Sequence, residues 1–316
     1  MKFSKLGNSD LNISRIGLGA WAIGGKWLWG WGEQDDRQSI ETIQHALDLG
    51  VNWIDTAPVY GLGHSEHVVG RAIQGLSEKP LIFTKCSFRW DAKGEVTPSL
   101  AAASVREEVE NSLRRLKVDV IDLYQIHWPN PEDQIEEAWE TMLALKNEGK
   151  IRHLGVSNHS VEQMQRLEQL GHVTSLQPPY SLVNRDCAES ILPWCQQNQT
   201  GVICYSPMGS GILTGAMTRE RIDNLPEDDW RKKADDFNEP KLSHNLRIVE
   251  TLKSIAKRHE VNVAEVAIAW ALHHPAVSGT IVGMRSPQQA EGVIGGGSLV
   301  LDDQDFALIE ACLVNG

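Results

Sequence analysis

Val51-Asn52-Trp53-Ile54-Asp55-Thr56-Ala57-Pro58-Val59-Tyr60-Gly61 decides the fold. A short apolar run ends in an acid, Pro58 takes the chain out of regular structure, and a tyrosine follows. The pattern predicts a strand that delivers Asp55 and Tyr60 to one place. An acid at a strand end is more often structural than catalytic, so its partners decide the reading. Two later runs supply them: Leu81-Ile82-Phe83-Thr84-Lys85 ends in a lysine, and Val120-Ile121-Asp122-Leu123-Tyr124-Gln125-Ile126-His127 ends in a histidine. In a parallel barrel, carboxyl ends of successive strands share one face.

Working outward, strand-like runs lie at 15–19, 52–55, 80–85, 119–127, 151–156, 173–177, 201–205 and 279–283. Helical spacing falls at 37–49, 65–74, 98–116, 132–147, 160–169, 186–198, 244–259 and 287–294. Thr97-Pro98 and Ser286-Pro287 each place a cap before a proline at a first helical position, and Gly50 and Gly149 follow helix ends. Eight strand-helix repeats predict an α/β fold, a (β/α)8 TIM barrel. A hairpin in residues 2 to 14 would cap one end, and 262–273 and 303–313 add two extra helices. The rival, a doubly wound sheet, expects Gly-x-Gly-x-x-Gly after its first strand, whereas Gly17-Leu18-Gly19-Ala20-Trp21-Ala22 breaks that spacing. The 316 residues are therefore read as one barrel domain, 1–316.

A formal charge of −12 with no basic run argues against a nucleic-acid partner. Without an apolar signal segment or a stretch long enough to span a bilayer, the expectation is a cytoplasmic protein. Five cysteines without a Cys-x-x-Cys pair fit reduced thiols better than disulfides or zinc. His64-x-x-His67 lacks a third ligand and His273-His274 reads as a helix end, so no metal site is expected.

The residues Asp55, Tyr60, Lys85 and His127 resemble those of the aldo-keto reductase family. The likeness extends over essentially the whole chain: Gly19-Ala20-Trp21; Asp55 to Gly61 continuing to Ser65-Glu66; Thr84-Lys85; Asp122-Leu123-Tyr124-Gln125-Ile126-His127-Trp128-Pro129; Gly155-Val156-Ser157-Asn158; Gln177; Tyr205-Ser206-Pro207-Met208-Gly209-Ser210-Gly211; and Gly283-Met284-Arg285-Ser286-Pro287. The resemblance is closer to the bacterial and potassium-channel β-subunit-like branch than to the aldose reductase branch.

The resemblance implies hydride transfer between a nicotinamide and a small-molecule carbonyl or alcohol, with Tyr60 giving the proton. A phenol's ordinary pKa near ~10 makes it a poor acid-base group unless a cation favours its ionised form. Lys85 is expected to supply that charge, Asp55 to hold the ammonium, and His127 to orient the carbonyl. Ser157, Asn158 and Gln177 are expected to hold the carboxamide and Tyr205 to stack beneath the ring. Gly19, Ala20 and Trp21 complete the cofactor wall, and the loop from Ser206 to Gly215 and the helix start at Ser286 suit its phosphates. Arg285 suits a ribose 2′-phosphate, so NADPH is favoured, with NADH possible. The motif departs from the family after Gln289, where Gly292 and Val293 replace the usual Glu and Asn.

Of the eleven tryptophans, Trp21, Trp27, Trp29, Trp31, Trp90 and Trp128 follow strand-like runs; Trp21, Trp29, Trp90 and Trp128 are expected to wall an apolar substrate pocket. The charged stretch 216–240 reads either as a lid over the cofactor or as a solvated face. A nicotinamide-binding regulatory β-subunit with little turnover is the alternative to an enzyme.

Overall fold

The computed structural model describes residues 1–27 and 29–314. Strands β1 (Phe3–Lys5) and β2 (Asn12–Ser14) pair as the expected hairpin. The chain then alternates through β3 (Ile16–Gly19), α1 (Asp36–Asp48), β4 (Trp53–Asp55), α2 (His64–Ala72) and β5 (Leu81–Cys86). An antiparallel ribbon, β6 (Phe88–Trp90) and β7 (Val96–Pro98), precedes α3 (Ala102–Leu116), β8 (Ile121–Ile126), α4 (Ile135–Asn147), β9 (Ile151–Ser157) and α5 (Val161–Glu168). Then come β10 (Ser175–Gln177), α6 (Ile191–Gln197), β11 (Gly201–Tyr205), α7 (Arg219–Asp223), α8 (Lys241–His259), α9 (Val263–His273), β12 (Val277–Gly283), α10 (Pro287–Ile294) and α11 (Asp303–Val314). Eight parallel strands close a barrel in the order β3, β4, β5, β8, β9, β10, β11, β12, with β12 returning to β3 through Thr280 opposite Ile16.

Alternation along the strands explains both the core and the site. Trp53, Phe83, Leu123, Ile203 and Ile281 point into the barrel and pack with Leu6, Leu11 and Ile13 of the hairpin, which plugs the amino-terminal end. Their neighbours Ile54, Ile82, Tyr124, Cys204 and Val282 join the larger core under the helices. Two residues further along each strand the period returns inward and places Asp55, Lys85, Gln125, Tyr205 and Gly283 at the carboxyl end.

Gly17 is required by this packing: a Cβ there would stand 2.2 Å from the Trp53 indole, which fills the barrel and donates to the Ser14 carbonyl at 2.8 Å. Gly17→Ala is expected to cost roughly 1–3 kcal/mol through overpacking. Urea unfolding measures this, and a loss under about 0.5 kcal/mol would show that the indole has room to move.

The predicted cap at Ser286 is present, its side chain accepting from the Gln289 amide, and Ser160 adds a capping box with Gln163. Thr97-Pro98 departs from expectation. These residues lie in β7, where Pro98 pairs with Phe88, and α3 begins only at Ala102. Side chains of α4 and its approach supply the cap instead: Gln134 accepts from the Leu100 amide at 2.9 Å and Glu137 from the Ala102 amide at 2.7 Å. The predicted helix 186–198 is a turn at 186–188 followed by α6. No helix among the described residues is long and apolar enough to cross a membrane.

Candidate functional site

The carboxyl ends of the strands open into a cavity of about 990 Å³. At its base lies a buried ion pair. Lys85 Nζ, with no exposed surface, donates to Asp55 Oδ1 at 2.6 Å and to the Thr56 carbonyl at 2.8 Å. Asp55 Oδ2 accepts from Gln177 Nε2 at 2.9 Å and Gln125 Nε2 at 3.3 Å. Each carboxylate oxygen therefore has donors, the condition under which a buried pair is tolerated. Burial lowers the Lys85 pKa while the charge of Asp55 opposes it.

Tyr60 stands over this pair, with the ammonium 5.3 Å from its ring centroid. The turn bearing it is held against the opposite loop because Gly61, at φ 62°, has its missing Cβ only 2.2 Å from the Gly24 carbonyl oxygen. Burial raises the Tyr60 pKa well above its ordinary value, and the charge of Asp55 pushes the same way. The nearby Lys85 charge does not reverse that direction: the ammonium's hydrogen bonds go to Asp55 and Thr56, while desolvation of a phenolate dominates. The His127 ring meets the Tyr60 ring edge-on at 5.7 Å, and burial with the nearby Lys85 charge holds its pKa well below the usual imidazole range. A protonated phenol and a neutral imidazole thus share the floor of the cavity.

One wall carries most of the predicted cofactor residues. Gly19, Ala20, Trp21, Ser157, Asn158 and Tyr205 line the cavity. Asn158, at φ 59°, donates to the His127 carbonyl at 3.1 Å and accepts from the Tyr205 hydroxyl at 3.0 Å, tying that ring to the strand bearing His127. Ser157 Oγ donates to the Gln177 carbonyl at 2.8 Å. Gln177 also lines the cavity, but its amide nitrogen serves Asp55 and Gln125. In the loop after β11, Ser206, Pro207, Met208, Ser210 and Gly211 reach the cavity, whereas Gly209 is buried among Val183, Ile212 and Leu213. Ser206 and Ser210 both have positive φ, and the turns they make are closed by the Gly209 amide donating to the Ser206 carbonyl at 2.9 Å and the Gly211 amide to the Met208 carbonyl at 3.1 Å. Gly283 has open space where a Cβ would stand.

Arg285 is pre-positioned: Nε donates to Gln34 Oε1 and Nη2 to the Glu33 carbonyl, both at 2.8 Å. Gln289 lines the cavity, but its side-chain oxygen accepts from the Arg285 amide at 2.8 Å. Open space beside Gly283, a glycine- and serine-rich loop with positive φ at the cavity and an anchored guanidinium fit a dinucleotide's planar ring and phosphates.

The tryptophans divide into two sets. Trp27 and Trp29 join Tyr60, Phe88 and His127 in a closed aromatic circuit: consecutive centroids lie 6.3 Å (Tyr60 to Trp27), 5.4 Å, 6.5 Å, 5.7 Å and 5.7 Å apart. Trp29 and Trp128 remain 46% and 44% exposed at the cavity. Trp21, Trp31 and Trp230 form a second group with centroids 5.4, 5.8 and 6.1 Å apart. That triangle joins the 21–34 loop to the stretch 216–240, so this stretch is more than a solvated face; Arg231 stacks 4.7 Å over Trp31 and reaches the cavity. Trp90 is a correction: it carries the Arg115 guanidinium 5.7 Å over its ring and does not line the cavity.

Gln125 and Phe88 went unassigned in the sequence reading. Gln125 stands two residues before His127 in β8, so strand period alone points it inward; Phe88 depends on a ribbon that no local signal announces. Arg221, Arg231 and Asn262 also line the cavity from segments without motif. Among the described residues, His259, Asp302 and Asp305 have metal-ligand spacing, but Arg258 pairs with both acids there.

Comparison with known proteins agrees with this fold. The family model described as Aldo/keto reductase family matches residues 15–314. The aldo-keto reductase YhdN of Bacillus subtilis is 40% identical over 309 residues, covering 96% of this chain and 92% of that protein. The NADH-specific methylglyoxal reductase of Escherichia coli is 33% identical over 324 residues, covering 98% and 97%. Among solved structures, the glycerol dehydrogenase AKR11B4 from Gluconobacter oxydans superposes with a TM-score of 0.91 at 36% identity, covering 99% of this chain and 95% of that one.

Proposed function

The chain belongs to the aldo/keto reductase family, and from that premise we propose that it reduces uncharged aldehydes or ketones with NADPH, Tyr60 donating the proton, or oxidises the corresponding alcohols. As a member it is an oxidoreductase of carbonyls or alcohols, in a family that uses nicotinamide cofactors. The observation that carries the finer reading is the Asp55 and Lys85 pair buried beneath Tyr60, with His127 against the phenol's edge.

The bound nicotinamide supplies or accepts the hydride. The rest falls to side chains. His127, neutral across the physiological range, hydrogen-bonds the carbonyl oxygen and holds it by the phenol. Tyr60 gives its proton as negative charge grows on that oxygen, and the ammonium of Lys85 steadies the phenolate left behind. Asp55 keeps the ammonium charged and fixed. Gln125 and Gln177 keep Asp55 from turning. In oxidation the phenolate takes the alcohol proton.

For cofactor, Ser157, Asn158 and Gln177 would hold the carboxamide, Tyr205 would stack on the ring, and the 206–211 loop with Gly283 would hold the phosphates. Arg285 would hold a 2′-phosphate with the N–H groups that Gln34 and Glu33 leave free. Arg285→Ala is expected to weaken NADPH by about tenfold or more and NADH much less, since a charge-assisted pair contributes roughly 1.5–3 kcal/mol. Fluorescence titration with both cofactors decides it, and equal losses would refute the 2′-phosphate assignment.

The aromatic circuit around Tyr60 and His127 is apolar, and the ammonium beneath it, Lys85, is already paired with Asp55 at 2.6 Å, so a carboxylate brought into the circuit would be desolvated with little compensation. Benzaldehyde is accordingly expected to outperform 4-carboxybenzaldehyde in kcat/KM. Following nicotinamide absorbance with a panel of carbonyls tests the whole reading; no oxidation of NADPH or NADH with any of them would dismiss it.

A further inference from the structure

Beside the site, just past Lys85, lies an unusual turn. Ser87 follows β5 two residues after Lys85 and is buried completely, yet it holds φ at 115°, a conformation side chains resist. Three contacts hold it. Glu108 on α3, only 6% exposed, accepts from the amides of Ser87 at 3.2 Å and Phe88 at 3.3 Å through Oε2. The Ser87 carbonyl accepts from the Ser99 amide at 3.0 Å, and Ser87 Oγ accepts from the amide of Trp128 at 3.3 Å.

The turn therefore staples together the strand end that carries Lys85 and the strand end that carries His127. Just beyond it, Phe88 meets the His127 ring at 5.7 Å and Trp29 at 6.5 Å. A carboxylate is poorly suited to so dry a place on stability grounds alone. We propose that Glu108 is a positioning residue for the reaction: its carboxyl group, accepting from the Ser87 and Phe88 amides, fixes the Ser87 turn and, through it, the placement of Phe88 and His127 around the reacting carbonyl. The role rests on the reading of the site given above.

The groups facing this carboxyl are Ser104 on its own helix, which donates at 3.2 Å, Arg89 on β6, Cys86 on β5 and Tyr124 on β8. Burial raises the carboxyl to about 8 despite the Ser87, Ser104 and Phe88 hydrogen bonds. A raised carboxyl favours folding fully below its unfolded value, and that contribution is lost as pH rises through about 8. Glu108→Gln keeps the size and removes the charge that the carboxyl takes on as pH rises through about 8. A purely structural role therefore predicts unchanged turnover with an equal or higher Tm above pH 8, whereas a positioning role predicts the same Tm trend with impaired chemistry.

The experiment is Glu108→Gln in the full chain, with thermal melts, NADPH titration, and kcat and KM for a small aliphatic and an aryl aldehyde. The expected result is a folded protein with unchanged NADPH affinity, kcat lowered by about tenfold from misplacement, and a shifted preference between the two aldehydes. Wild-type kcat and preference in the folded variant would overturn the proposal. If Glu108→Gln does not fold, Ser87→Gly decides, because it relieves the backbone while deleting the Trp128 contact: lowered kcat at an undiminished Tm supports the role, and wild-type kcat overturns it. The His127 imidazole resonance, assigned by its loss in His127→Ala, gives a readout independent of turnover. It is expected to shift in Glu108→Gln, and an unmoved resonance counts against the proposal even should the wild-type protein reduce no carbonyl.

Discussion

Tyr60→Phe is expected to reduce turnover by about 10²- to 10⁴-fold, the range a positioned general acid contributes, while leaving cofactor affinity close to that of the wild type. The substitution removes one oxygen and keeps the ring that packs on Trp27 and His127, so the aromatic circuit survives. The pH profile sharpens the test. Because the Tyr60 pKa is raised by burial and Asp55, the acid form persists through neutral pH and is lost only on the alkaline side. Because the His127 pKa is lowered, the imidazole stays neutral on the acid side. Reduction should therefore hold a plateau across neutral pH in the wild type. Tyr60→Phe should lose the rate at every pH in that range. Retained turnover would identify a different proton donor.

Asp55→Asn should be the most damaging change to the fold as well as to activity. It removes the negative partner of an ammonium with no exposed surface and places an amide where Gln125 and Gln177 already direct donors. Breaking one side of a buried pair typically costs about 3–5 kcal/mol, because the surviving charge must stay buried alone or lose its proton. Since burial already lowers the Lys85 pKa, the ammonium is the form that gives way, and the cation beneath Tyr60 goes with it. The double variant Asp55→Asn with Lys85→Met should cost less than the sum of the two single changes. Denaturant unfolding of the four proteins measures this coupling, and strict additivity would mean that the pair contributes no interaction energy.

These effects concentrate where strand period and motif coincide, which is also where the sequence was most legible. Asp55, Lys85 and His127 could be placed together because each ends an apolar run, and parallel connections force such ends to one rim. The hairpin plug followed from two short runs around Gly7-Asn8-Ser9-Asp10. Thr97-Pro98 misled because a cap followed by proline also suits the edge of a ribbon, and the side chains that start α3 come from residues 134 and 137, beyond any local window. Trp90 misled for a related reason: position after a strand says nothing about which way a ribbon turns, and Arg115, distant in sequence, claims its face. The direction of the Tyr60 shift was likewise beyond local reading, since it depends on how dry the assembled pocket is. Glu108 is invisible to motif logic because its role consists of backbone amides two elements away.

The most direct measurement of the central claim is isotopic. Purified protein is incubated with a neutral aryl aldehyde and reduced nicotinamide cofactor carrying deuterium at the transferable position, and the alcohol formed is analysed in wild type and Tyr60→Phe. The account predicts one deuterium on the carbinol carbon in the wild type and almost no alcohol from the variant. Alcohol without deuterium, or equal product from both proteins, would contradict it.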